Sequence, residues 1–182
     1  MPVNASSNKI NFIAPDFNLK SVDNNYYSLE SLKGLKGTVI VFICNHCPYV
    51  ISIVKRLNFE AKELKKINVN TVAIMSNDTI SYPKDSFENM KKFSIKYNFI
   101  FPYLYDETQE TAKKYKAICT PDFFGFNSFL KLEYRGRIDS DVMDNSNKNN
   151  HRELFYAMKQ ISKTNKGPEE QFNSFGCSIK WK

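Results

Sequence analysis

The stretch Thr38–Val39–Ile40–Val41–Phe42–Ile43–Cys44–Asn45–His46–Cys47–Pro48–Tyr49–Val50 decides how this 182-residue chain is read. Its first six residues form an unbroken β-branched and apolar run, the pattern of a central parallel strand covered on both faces. Beyond the cysteines, Val50, Val54, Leu57, Ala61 and Leu64 recur at helical spacing, one face of a helix of about five turns. A second strand follows over residues 70–75, so strand, helix and strand make a βαβ unit, almost always right-handed.

Outward from that unit the pattern continues. Upstream, Asp23–Asn24–Asn25 separates residues 17–22 from 26–28, a short hairpin with Asx residues at its turn. Downstream, a turn-rich loop over 77–83 ends at Pro83, which suits the entry to a helix over 85–97. Tyr103–Leu104–Tyr105 is a short strand, and Asp106 with Gln109 has capping-box spacing for a helix ending near Tyr115. Residues 122–126 and 130–134 read as a hairpin around Asn127–Ser128. Residues 139–149 are polar and Asn-rich, a loop. Asn150 and Glu153 then cap a last helix with Leu154, Phe155, Met158 and Ile161 on one face. One domain over 1–163 with a polar tail over 164–182 is expected, without internal repeats.

Composition sets the class. Hydrophobic residues at 42% and charged ones at 25% describe a globular chain rather than a disordered one. No apolar run approaches the roughly 18 residues of a membrane span. The net charge of +7 comes mostly from lysines scattered along helices, not from a basic face with stacking aromatics, so no nucleic-acid partner is expected. Residues 1–17 lack a basic segment followed by an apolar one, and a cytoplasmic location is expected. Four cysteines in a chain this long are no disulfide scaffold; a C-x-x-C pair in a reducing compartment reads as redox-active or metal-binding. The second half of a zinc site is missing, so no metal or other cofactor is expected.

The chemistry follows from the strand-to-helix junction. A helix N-terminus carries unpaired N–H groups and partial positive charge, which stabilise an anion. Cys44, just ahead of that terminus, is expected as the low-pKa thiolate, with His46 adding a favourable charge when protonated. Cys47, one turn on, is expected as the more buried partner, with Pro48 about the fourth residue of the helix.

Ala14–Pro15–Asp16–Phe17, the Cys44–Asn45–His46–Cys47–Pro48–Tyr49 motif, Cys119–Thr120–Pro121–Asp122, Tyr134–Arg135–Gly136–Arg137–Ile138–Asp139 and Gly176–Cys177–Ser178–Ile179–Lys180–Trp181 together resemble the redoxin branch of thioredoxin-like proteins. That branch contains the alkyl hydroperoxide reductase/thiol-specific antioxidant group, and the likeness is to its bacterial peroxiredoxin-like subfamily. The resemblance covers nearly the whole chain. It implies a thioredoxin-like α/β fold, a central mixed sheet flanked by helices, with an N-terminal extension and a helical insertion. It also implies a cis-proline at Pro121 facing the dithiol, with Thr120 offering its backbone to a bound substrate. Peroxiredoxins carry Pro-x-x-x-Thr-x-x-Cys; with Cys47 laid on their peroxidatic cysteine, Ile40 and Cys44 replace the proline and threonine, which argues against straightforward peroxidase activity.

The expectation is therefore a thiol–disulfide oxidoreductase using Cys44, Cys47 and His46, with Thr120 and Pro121 at the substrate. Its partners would be a protein or small-molecule disulfide, or a peroxide, and a thiol reductant. His46 is expected to make the pair more oxidising than an apolar residue would. The alternatives are a thiol peroxidase and a carrier of a soft ion such as Cu(I) on Cys44, Cys47 and His46. Cys119 and Cys177 read more readily as a buried hydrophobe and a tail thiol than as resolving cysteines, and Arg135 and Arg137 as surface groups rather than anion anchors.

Overall fold

The computed structural model describes residues 2–4, 12–141 and 150–182. In chain order the elements are β1 (Pro2–Asn4), β2 (Asn18–Ser21), β3 (Tyr26–Ser28), α1 (Leu29–Leu32), β4 (Gly37–Phe42), α2 (Pro48–Lys65), β5 (Val69–Met75), a 3-10 turn (Pro83–Asp85), α3 (Phe87–Lys96), β6 (Tyr103–Tyr105), α4 (Glu110–Tyr115), β7 (Cys119–Thr120), β8 (Asp122–Asn127), β9 (Leu132–Gly136), α5 (Glu153–Thr164) and β10 (Phe175–Ser178). Seven strands form one mixed sheet in the order β3-β2-β6-β5-β4-β8-β9. The pairs β4–β5 and β5–β6 are parallel, whereas β4–β8, β8–β9, β2–β3 and β2–β6 are antiparallel. This is the expected thioredoxin-like α/β fold, with the β2–β3 hairpin as N-terminal extension and the 3-10 turn and α3 as helical insertion.

The period of β4 explains the layers. All six of its residues are buried, and successive side chains go to opposite faces. Val39 and Val41, with Ile43 just beyond, face a core shared with Val50, Val54 and Leu57 of α2 and Leu154, Met158 and Ile161 of α5. Ile40 and Phe42 face a second core containing Val72, Ile74, Tyr115, Phe124 and Phe126. Covered on both sides, β4 delivers its last residues into the interior, where the cysteines lie. Among the described residues, no helix is long and apolar enough to cross a membrane.

Two expected capping boxes are replaced. Gln109 precedes α4 in a left-handed conformation (φ 65°) and makes no capping bond. The Asp106 carboxylate instead accepts from the Thr111 and Ala112 amides at 3.2 and 2.9 Å, doing the cap's work from further back. At α5 the N-cap is Arg152, with no side-chain cap; Asn150 accepts from Ser140, and Glu153 forms a two-pronged pair with Arg137 at 2.7 and 2.8 Å. Arg135 likewise pairs with buried Asp122 at 3.0 Å, so neither arginine is free for an anionic substrate. Residues 142–149 of the expected Asn-rich loop lie outside the described residues.

The segment after α5 folds back over the domain. Its strand β10 joins β1 and β7 in a second, three-stranded antiparallel sheet.

Candidate active site

The helix starts later than its periodicity suggests. Pro48 is its first residue, where a missing N–H costs nothing, and Cys47 is the N-cap (φ −70°, ψ 122°). Cys44 does lie ahead of the helix as expected, whereas Pro48, expected about a turn inside it, is its first residue. The reason is local. A residue before proline is pushed out of the α region, which fixes Cys47 as extended. Asn45 and His46 are then held outside the helix by a buried carboxylate. The Asn45 amide donates to Asp85 Oδ1 at 2.8 Å, its side chain donates to the Lys84 carbonyl at 3.1 Å, and Tyr103 OH donates to Asn45 Oδ1 at 2.9 Å.

This shift puts Cys47 rather than Cys44 at the helix head. Cys44 and Cys47 are 1% and 0% exposed, and the ionisation of each is shifted by the other. The Cys47 pKa is brought down to about 5, first by the hydrogen bond from Cys44, with further help from the Cys177 thiol and the Val50 and Cys177 amides, against the penalty of burial. Cys44 is pushed up by the same bond, by burial and by the Asp85 carboxylate. The pulls on the pair thus favour the thiolate on Cys47, the residue that heads α2, over the one expected on Cys44.

Thr120 brackets both sulfurs. Its peptide bond to Pro121 is cis, as the resemblance implies. Thr120 Oγ1 lies 3.4 Å from Cys44 Sγ, and its carbonyl accepts from the Cys47 thiol at 3.2 Å. That carbonyl favours the protonated form of Cys47 and so works against the other groups.

His46 is placed beside Cys44 rather than Cys47. Its Nδ1 is 2.7 Å from Asp85 Oδ2, and its ring stacks on Tyr82 with an interplanar angle of 6°. Cys44 Sγ, a His46 nitrogen and an Asp85 oxygen lie within 4.8 Å of one another, donors of the type that suit a zinc-like ion; Cys47 is not in the set. Both Asp85 oxygens are already engaged, Oδ1 by Asn45 and Oδ2 by Asn77 Nδ2 at 2.8 Å. The trio is better described as a polar arm beside Cys44 than as a metal centre.

Sequence reasoning missed Asp85, and read Cys177 as a tail thiol and Gln109 as a helix cap. The tail strand β10 sets Cys177 opposite Thr120 in register and packs it against the core cluster that holds Cys44 and Cys47. Gly176 lies so close to the Thr120 carbonyl and the Pro121 ring that any side chain there would overlap them. Beyond the strand, the Lys180 amide donates to Asn77 Oδ1 at 2.9 Å, and Gln109 Nε2 donates to the Lys180 carbonyl at 2.8 Å. Cys119 is buried, donates to the Pro121 carbonyl at 3.5 Å and is pushed up by burial. Only the position of Gly176 and Cys177 in one short motif hinted at this; nothing in the sequence marks Asp85.

A thioredoxin-like sheet, two adjacent thiols at the head of a helix and a cis-proline across from them define a redoxin. The family model of the AhpC/TSA family matches residues 10–138, and the chain belongs to that family. It is a thiol–disulfide oxidoreductase or peroxiredoxin-like protein. An uncharacterized conserved protein from Geobacillus kaustophilus is 44% identical over 100% of this chain and 97% of its own, with a TM-score of 0.93. A hypothetical protein from Sinorhizobium meliloti is 33% identical over 97% of both chains, with a TM-score of 0.90. A secreted Mycobacterium tuberculosis disulfide oxidoreductase shares the fold at 22% identity, covering 64% of this chain and 79% of its own, with a TM-score of 0.55. No curated protein matches the sequence significantly.

Proposed function

We propose that Cys44 and Cys47 form the redox pair of a thiol–disulfide oxidoreductase, with Cys47 as the attacking sulfur. The observation that carries this reading is the placement of both sulfurs against Thr120 with Cys47 at the head of α2, where the helix favours its thiolate. Cys47 attacks one sulfur of a substrate disulfide and expels the other as a thiolate. Cys44 then attacks the Cys47 sulfur, forming the Cys44–Cys47 disulfide and releasing the second substrate thiol. The substrate gains two electrons and the dithiol loses them, until a thiol reductant in the cytoplasm restores it. His46, beside Cys44 and steadied by Asp85, takes the proton that Cys44 gives up as it attacks. Thr120 and Pro121, which bracket the two sulfurs, are the substrate-facing residues, and the substrate is a disulfide of a protein or small molecule.

The reading is tested in a Cys177→Ser background, which removes the third thiol. With oxidised glutathione, Cys44→Ser should accumulate a stable mixed disulfide on Cys47, and Cys47→Ser should accumulate none on Cys44. The reverse pattern would return the nucleophile to Cys44.

A thiol peroxidase is the second reading, favoured by Cys47–Pro48 at the helix head, where the family resemblance sets the peroxidatic cysteine. Cys47 would become a sulfenic acid and condense with Cys44, releasing water. Stopped-flow reaction of the reduced protein with hydrogen peroxide decides it; a rate no faster than that of free cysteine removes this reading.

A further inference from the structure

A disulfide between Cys44 and Cys47 would be enclosed, since both residues are essentially unexposed, whereas Cys177 is only half-buried. Several features bring Cys177 to the same place. Its strand sets it directly opposite Thr120, whose carbonyl is 3.2 Å from Cys47 Sγ. Alternation along β10 puts Phe175 on the same face as Cys177, and the Phe175 ring packs edge-on against Tyr49 in the first turn of α2, with centroids 5.2 Å apart. The strand is thus pinned at the helix head. The Cys177 side chain packs against the core cluster that holds Cys44 and Cys47, close enough for Cys47 and Cys177 each to shift the other's ionisation.

We propose that Cys177 is a third redox thiol of this site, which takes Cys47 over from Cys44 and so carries the disulfide to a sulfur that a reductant can reach. This rests on the assignment of Cys47 as the central sulfur. The Cys177 thiolate attacks Cys47 Sγ of the Cys44–Cys47 disulfide. The Cys47–Cys177 bond forms, the Cys44–Cys47 bond breaks, and Cys44 leaves as a thiolate that takes up the proton Cys177 has lost. The protein neither gains nor loses electrons in this step; the oxidation is moved outward. A thiol or dithiol reductant then attacks the half-buried Cys177 sulfur and expels Cys47, a good leaving group because its thiolate is the stabilised one. Burial, and after it the Cys47 sulfur, pushes the Cys177 thiol up to about 11, with the Lys180 ammonium opposing; oxidation of Cys47 removes its share of that push before the first attack.

The test compares Cys44→Ser with Cys44→Ser/Cys177→Ser, each treated with oxidised glutathione, quenched in acid, alkylated and mapped by mass spectrometry. With Cys177 present, the Cys47 mixed disulfide should be expelled, lowering its yield by about tenfold or more and replacing it with a Cys47–Cys177 cross-link. Equal adduct in both variants, with Cys177 fully alkylated, overturns the proposal while leaving Cys47 as nucleophile. Absence of adduct from both variants, with no Cys47–Cys177 cross-link in either, overturns the Cys47 assignment and this proposal with it. Oxidised wild type provides a control without substitutions: it should yield both Cys44–Cys47 and Cys47–Cys177 peptides, and the first alone counts against the relay.

Discussion

Cys47 is acidic because its neighbours donate to it, and its pKa therefore reports on them. The ultraviolet absorbance of the thiolate in the reduced protein should titrate near pH 5 and disappear in Cys47→Ser. Because the folded pKa lies below the ordinary thiol value of about 8.5, the thiolate stabilises the native state above that value. The contribution shrinks as pH falls and is gone below about 5. Urea denaturation should show wild type losing stability relative to Cys47→Ser between about pH 8 and about pH 4. Asp85 is the second residue whose loss would be felt. It is fully buried and accepts from the Asn45 amide and Asn77 side chain, so Asp85→Ala should cost roughly 1–3 kcal/mol for each donor left unpaired. The same change removes a negative charge from beside Cys44 and should lower the Cys44 pKa, which the thiolate absorbance of an Asp85→Ala/Cys47→Ser double variant would show. The motif was legible as redox chemistry from four residues. Which sulfur heads the helix was not, although Pro48 held the clue: a residue before proline leaves the helix, and the helix head moves to Cys47.

At the level of elements, β10 is the piece that reading by periodicity could not place. Phe175 to Ser178 is short, contains a glycine, and alternates too briefly to announce a strand. Its partners, β1 and β7, are as short and distant in sequence, so the pairing exists only because the fold brings them together. By contrast, β4 and α2 were plain because a six-residue apolar run and a regular 3–4 spacing survive any context. Gly176 makes the element testable. A Gly176→Ala change places a methyl against the Thr120 carbonyl and should lift β10 from β7. Cys47 should then be alkylated about tenfold faster or more, and its pKa should rise as the Cys177 amide and thiol withdraw. Unchanged alkylation kinetics would mean that β10 does not shield the sulfur.

For the molecule as a whole, the thioredoxin-like layering was readable because burial on both faces of β4 leaves a continuous apolar signature, while the caps of α4 and α5 were misread. Capping boxes are spacing rules, and tertiary partners outbid them: Gln109 is engaged by Ser76 and Lys180, Glu153 by Arg137. Met158 is fully buried in the core between α5 and the sheet, so Met158→Ala should cost about 2–5 kcal/mol in chemical denaturation while leaving the Cys47 titration unchanged. The docked tail also bears on how the molecule is made. Cys44 and Cys47 leave the ribosome early, with nothing from residues 175–182 to cover them. During that interval the nascent chain displays a bare dithiol without the donors that Cys177 supplies, open to whatever oxidant it meets. Protection arrives only once residues 175–178 have been made and docked.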